Sequence, residues 1–223
     1  MACQHHDVER IAPPACLWAI TDIGNIGNPG SINDDKTSHT GHIGKGIDGR
    51  YDGQILRYNY SFGDFGVAIS VEQDDTGTVD DGFAVGAKYS VDMGGVGIYF
   101  GLGYQEASLS VTDDIDALGL SIVANFGDFS AGINYVDVSS DTLAQEGDYL
   151  GFGVGYSANG LSIHANYAEQ DATIGTANDT DGFGLAVAYD LGGGASVKGG
   201  YGSGSVGTAA SVDTWSLGLA LSF

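Results

Sequence analysis

The chain is 223 residues long and carries 29 Asp and Glu against 7 Lys and Arg, a formal net charge of -22, with 38 glycines and 3 prolines. The glycines follow no three-residue period, which excludes a collagen-like rod, and 43% apolar residues in ordered alternation exclude a disordered acidic tail. Such a charge repels phosphate backbones, so nucleic acid is excluded as a partner; no run approaches the roughly 20 apolar residues of a spanning helix, whereas membrane strands need only about ten residues each.

The opening stretch, MACQHHDVERIAPPACLWAIT, has no basic region followed by a long apolar run, and Pro13-Pro14 interrupts what apolar character it has. It does not read as a signal peptide, and Pro13-Pro14-Ala15-Cys16 is only faintly like a lipoprotein cleavage site. Residues 1–16 are therefore set apart as an atypical segment, the start of an untargeted or truncated chain. Both cysteines, Cys3 and Cys16, lie there, so disulfides do not hold the rest together. His39 and His42, three apart, lack a third nearby ligand of soft type and read as a loop pair rather than a metal site.

From Gln54 onward, apolar residues alternate with small or polar ones at period two, the mark of strands whose faces meet different surroundings. About eleven segments follow, near 54–62, 65–72, 82–91, 95–105, 115–126, 128–138, 148–157, 160–169, 181–190, 194–202 and 212–223. Tight links at Gly63-Asp64, Asp92-Met93-Gly94, Gly127-Asp128, Asn159-Gly160 and Gly192-Gly193-Gly194 each precede a longer acidic link. This predicts an all-β, antiparallel up-and-down meander with short turns at one end and long loops at the other.

One face carries runs such as Leu56, Tyr58, Tyr60 and Phe62, or Trp215, Leu217, Leu219 and Leu221, with aromatics near strand ends. The opposite face holds Arg57, Asn59, Ser61, Lys88, His164, Asn166 and Lys198 among serine, glycine and alanine. In a soluble β-sandwich the apolar face is the core; in a transmembrane barrel it meets lipid and the wet face lines a lumen. Aromatic placement, low charge within strands and the order of short and long links favour the barrel. So does the parity of Arg57, Lys88 and Lys198, since a cation facing lipid at mid-bilayer costs about 2–4 kcal/mol.

The stretch Tyr189-Asp190-Leu191-Gly192-Gly193-Gly194-Ala195-Ser196-Val197, followed by a strand ending Leu221-Ser222-Phe223, resembles the C-terminus of the Rhodobacter-type sixteen-stranded general diffusion porins. Likewise, Tyr51-Asp52-Gly53-Gln54-Ile55-Leu56-Arg57-Tyr58-Asn59-Tyr60-Ser61 resembles the strand after their long third loop. The resemblance implies that the eleven strands correspond to the sixth through sixteenth, that 17–53 is a remnant of the loop folded into the pore and 54–223 the barrel wall, and that five strands and a signal peptide are missing. Phe223 is then the membrane assembly signal. It further implies passive diffusion of small hydrophilic solutes and ions across the outer membrane of a Gram-negative bacterium, a homotrimer when complete, and contact with lipid and lipopolysaccharide. The residues themselves offer no nucleophile with an ordered base and no glycine-rich phosphate loop between strand and helix, so no catalysis is expected. An antiparallel barrel closes with an even strand number, so eleven strands leave two open edges or force a parallel closing pair.

Site residues follow from the same resemblance. In that family, carboxylates of the folded-in loop face basic residues on the wall, setting a transverse field. This places Asp34, Asp35 and Asp48 on the acidic side and Arg57 and Lys88 on the wall, although Lys36, Lys45 and Arg50 blur the division. No cofactor is expected except Ca²⁺ at acidic loops, with Asp113, Asp114, Asp116, Asp179 and Asp181 as candidates; the competing reading is a solvated negative surface. The rivals to a channel are a non-conducting outer-membrane barrel, a soluble β-sandwich adhesin and a non-functional fragment.

Overall fold

The computed structural model describes residues 55–74, 77–141, 146–175 and 179–222. Segment 1–16, the loop expected over 17–53 and Phe223 lie outside the described residues. Eleven strands follow in order: β1 (Ile55–Phe62), β2 (Phe65–Glu72), β3 (Gly82–Asp92), β4 (Val96–Ser110), β5 (Asp113–Phe126), β6 (Phe129–Ser140), β7 (Gly147–Ala158), β8 (Leu161–Ala172), β9 (Thr180–Gly192), β10 (Ala195–Val206) and β11 (Val212–Leu221). Each pairs with its sequence neighbours in one sheet, ordered β1 to β11, and every pairing is antiparallel. Among the described residues β1 and β11 are the sheet's two edges. Both run in the same direction, so a direct bond between them would be parallel.

The tight turns fall where turn chemistry places them. Asn159 adopts a left-handed φ of 53° and Gly160 one of 79°, the Asn-Gly pair whose twist matches a two-residue hairpin. Gly194, at φ 80°, sits where a Cβ would come within 2.1 Å of the Ser222 carbonyl oxygen. No other residue fits there without moving the backbone.

At the opposite end the strands run further than expected. β4 continues to Ser110, and the long acidic link expected before β5 is a two-residue turn, Val111–Thr112. Asp113, Asp114 and Asp116 therefore belong to β5, and Asp181 to β9, rather than to loops. The reason lies in what pairs there. Ser108 donates to Asp114 at 2.6 Å, Ser140 to Asp113 at 3.0 Å, Ser203 to Asp213 at 2.6 Å, and Ser205 to Asp181. Hydroxyl–carboxylate bonds extend these ladders beyond the apolar band, where hydrophobic alternation no longer reports strand.

The two faces are inverted relative to a soluble protein. Outward Leu120 and Phe152 are 49% and 50% exposed, whereas inward Ser121 and Asn134 are each 4% exposed. Ser70, Gln105, His164 and Asn166 are buried on the same inner side. Aliphatic side chains left outside and amides, hydroxyls and imidazole kept inside require hydrocarbon as the outer solvent. Exposure rises to 78% at Leu56 and 77% at Trp215, on the two edge strands.

One row of registered partners shows how the wall stands in the membrane. It runs Phe62, Phe65, Tyr89, Phe100, Ile122, Ile133, Phe152, Tyr167, Phe183 across β1 to β9. The row begins beside a tight turn and ends nine residues short of the turn after β9, at Gly192. Nine residues at about 3.3 Å against eight strand spacings of about 4.8 Å give a strand tilt of about 40°, within the range of membrane barrels. Along the row the chemistry passes from aromatic through aliphatic to aromatic again, crossing the bilayer from one interface to the other. Stacked rings mark the first girdle, with Phe62–Phe65 centroids 5.6 Å and Phe65–Tyr89 centroids 4.4 Å apart; Phe152–Tyr167, at 5.4 Å, marks the second.

Depth should therefore control the cost of a charge. Leu120→Arg, in mid-band, is expected to lose about 2–4 kcal/mol of stability in urea titrations from lipid vesicles, and Asp171→Arg, at the loop-end rim, about 1 kcal/mol or less. Equal costs would place the membrane elsewhere.

Candidate functional site

The inner wall is built from polar side chains laid over glycine. A second registered row joins Ser61, Gly66, Lys88, Gly101, Ser121, Asn134 and Gly151 across β1 to β7. Four polar inward residues that are far apart in sequence thus fall on one registered row. Lys88 folds its stem over Gly66, whose hypothetical Cβ would lie 2.5 Å from Lys88 Cε. A Cβ at Gly151 would meet Asn134 Oδ1 at 2.6 Å and the Tyr149 ring at 3.3 Å, and one at Gly155 would meet Ser130 Oγ at 2.5 Å. These glycines let inward side chains lie flat against the wall, which keeps the interior clear.

β7 thus presents Gly151, Gly153 and Gly155 as a floor between polar neighbours. Asn134 and Ser130 stand on β6; Asn166 and His164, registered with Gly153 and Gly155, stand on β8. Ser121 Oγ, Asn134 Oδ1 and both polar atoms of the Asn166 amide have no protein hydrogen-bond partner among the described residues. Neutral donors and acceptors of this kind bind water or a hydroxylated solute.

The expected site residues are only partly gathered. Lys88 and Lys198 both project inward near the tight-turn end, on β3 and β10. Arg57 pairs through its backbone with Ser70, four residues along β2 from the Gly66 opposite Lys88, about 13 Å away at strand spacing. Asn59 and Ser61 stand on the edge strand β1. Asp34, Asp35 and Asp48 lie outside the described residues. Gln105, the last residue of the predicted β4, is a further inner-wall residue that the apolar alternation does not report; it is buried there, registered with Ala84 and Ala117.

The calcium candidates fall into two groups. Asp113 and Asp114 accept serine bonds, and the Asp114 N–H meets Asp141 Oδ2 at 3.4 Å; Asp179 accepts the Ala172 N–H at 2.9 Å. Asp116 and Asp181 join an outward-facing rim with Glu106, Asp137, Asp148, Glu169 and Asp171. There Glu106 faces Asp116, Asp148 faces both Asp137 and Asp171, and Glu169 faces Asp181. Like charges directly opposite one another on a sheet repel. The rim sits just beyond the outer girdle, whose Tyr104 and Tyr167 donate to Glu106 at 3.0 Å and Glu169 at 3.1 Å, and whose Tyr135 donates to Asp148. Among the described residues no three metal-ligating side chains converge as a metal centre needs.

Residues 17–209 match the model of the Gram-negative porin family. The chain belongs to that family. It is 31% identical to the porin of Rhodobacter capsulatus over 170 residues, covering 67% of this chain and 55% of that protein. The chain therefore spans little more than half the length of this curated relative. A porin structure refined at 1.8 Å resolution superimposes with a TM-score of 0.59 at 24% identity, over 77% of this chain and 62% of that one. Rhodopseudomonas blastica porin, as a triple mutant, gives 0.54 at 21% identity, over 76% and 55%. A loop-deleted OmpT of Vibrio cholerae, an outer-membrane protein, gives 0.55 at 17% identity, over 87% and 72%. These likenesses fix the fold as a porin wall and the location as the outer membrane. The soluble sandwich is set aside, because its apolar face would be buried between two sheets.

Glycine on the inner wall of this porin gives a test with a sign opposite to propensity. Gly151→Val raises β-propensity, yet it should destabilise by about 1–3 kcal/mol through collision with Asn134 and Tyr149, measured by urea unfolding from vesicles.

Proposed function

We propose that this chain forms part of the wall of a passive diffusion channel for small hydrophilic solutes and ions, assembled as a homotrimer in the complete protein. The observation that carries the reading is the inversion of faces: hydroxyl, amide and ammonium groups inward, aliphatic groups outward. Diffusion along a wet wall needs no covalent chemistry, so we read the protein as a channel and not an enzyme. Arg57 and Lys88 supply the basic side of the constriction, facing Asp34, Asp35 and Asp48. What supports Lys88 in this role is its inward position, held low against the wall over Gly66.

A chimera carrying residues 55–221 in place of the matching stretch of the Rhodobacter capsulatus porin tests the reading. It should give ohmic single-channel steps in planar bilayers, and Arg57→Ala or Lys88→Ala should shift the reversal potential toward cation preference. A chimera that folds but gives no steps would establish the non-conducting barrel instead.

The outward rim supports the lipid side of the proposal. Carboxylates stacked against one another beyond the outer girdle need counter-cations, and Ca²⁺ bridging Asp116, Asp137, Asp148 and Asp181 to lipopolysaccharide phosphates supplies them. Chelation with EDTA should then strip lipopolysaccharide from the purified protein. Asp137→Asn with Asp148→Asn should lower the amount bound, leaving the channel step unchanged. Retention of lipopolysaccharide by the double variant in EDTA would remove the rim from this role.

A further inference from the structure

At the loop end the inner wall is not polar throughout. Ala107, Ile115, Ala117, Val136, Tyr149 and Ala168 form a buried apolar cluster there. The pleat puts these residues on the lumen side, since Leu118, Leu120, Ile133 and Phe152 occupy the outward positions of the same strands. An apolar patch facing a water-filled lumen is unfavourable unless something covers it. Val79, from the link between β2 and β3, packs against the cluster.

That packing requires the link to lean away from its own hairpin over the neighbouring strands. Residues 77–80 share a cavity of about 430 Å³ with Ser110 to Asp114 and with Asp141. Asp141 follows β6, three strand spacings beyond β3, about 14 Å along the wall. A loop that stood upright above its own hairpin would not reach so far.

The link is also held in shape. Buried Asp74 accepts hydrogen bonds from the Thr78 N–H at 2.6 Å and the Val79 N–H at 3.0 Å, while its own N–H donates to Asp81 at 3.0 Å. The carboxylate thus draws residues 78 and 79 back toward the start of the link and presents Val79 to the wall.

We propose that the β2–β3 link is a second constriction of the channel, an arm folded inward at the external mouth and anchored through Val79, which sets pore size and favours hydrated cations there. The cation preference follows from position: the arm brings Asp80 to a cavity that Asp113, Asp114 and Asp141 also line. This rests on the channel reading above, and the two fail differently.

The geometric part needs no conduction. In the full chain with Cys3→Ser and Cys16→Ser, reconstituted in lipid vesicles, Val79→Cys should cross-link through a short bismaleimide to Ile115→Cys or Val138→Cys, and not to the outward Leu118→Cys. Cross-linking to Leu118→Cys as readily as to the inner positions, or no cross-linking to either inner position, would overturn the proposal. In the conducting chimera, Val79→Asp should enlarge the single-channel step and Asp80→Asn should move the reversal potential away from cation preference. Steps unchanged by Val79→Asp would sink the constriction while leaving the channel intact; absence of steps from every form would sink the channel reading, and the cross-links alone would then report where the arm lies.

Discussion

The governing constraint is that hydrocarbon cannot hydrogen-bond a peptide group. Every backbone N–H and C=O at membrane depth must find its partner in a neighbouring strand, which is why the chain forms ladders from β1 to β10 and β11 without interruption by helix or open loop. Once the ladders satisfy the backbone, the pleat sorts side chains onto two faces, and lipid takes the apolar one. The same rule bears on the edges. β1 and β11 point the same way, so antiparallel completion of the wall requires an odd number of strands between them.

Tilt connects this ladder to the membrane. Because the strands lean at about 40°, a row perpendicular to them climbs through the bilayer, and the residue type changes with depth as it climbs. Phe65 and Phe183 lie on one row yet at opposite interfaces, with Ile122 and Ile133 between them. Beyond the outer interface the pairing chemistry changes from apolar contact to serine–carboxylate bonds. The strands continue there, but their signature does not.

The interior divides along its length. Near the tight turns, Lys88 lies against Gly66; at mid-wall, neutral amides and hydroxyls flank the glycine floor of β7; at the loop end, Val79 packs against an apolar cluster. Glycine keeps the middle of the wall low. The inner wall therefore changes chemistry along its length.

Much of this was legible in the residues. Alternation from Leu56 onward located all eleven strands, Asn159-Gly160 and its counterparts located the tight turns, and the aromatics near strand ends identified the solvent. These features are local, and period two with turn chemistry reports them directly. The ends of β4 and β10 were missed because serine and aspartate carry no apolar period, and the long loop expected near Asp113 dissolved into strand for that reason. The meeting of Ser61, Lys88, Ser121 and Asn134 on one registered row, the like-charged pairs of the rim, and the packing of Val79 against a cluster that spans β4 to β8 were beyond the sequence. Sequence by itself determined which face most residues take, because the pleat alternates along each strand apart from register shifts at Ser108–Ser110 and Ala195–Ser196. Only the tertiary structure decided which residues share a registered row and what packs over the loop-end cluster, because those depend on register accumulated over many strands.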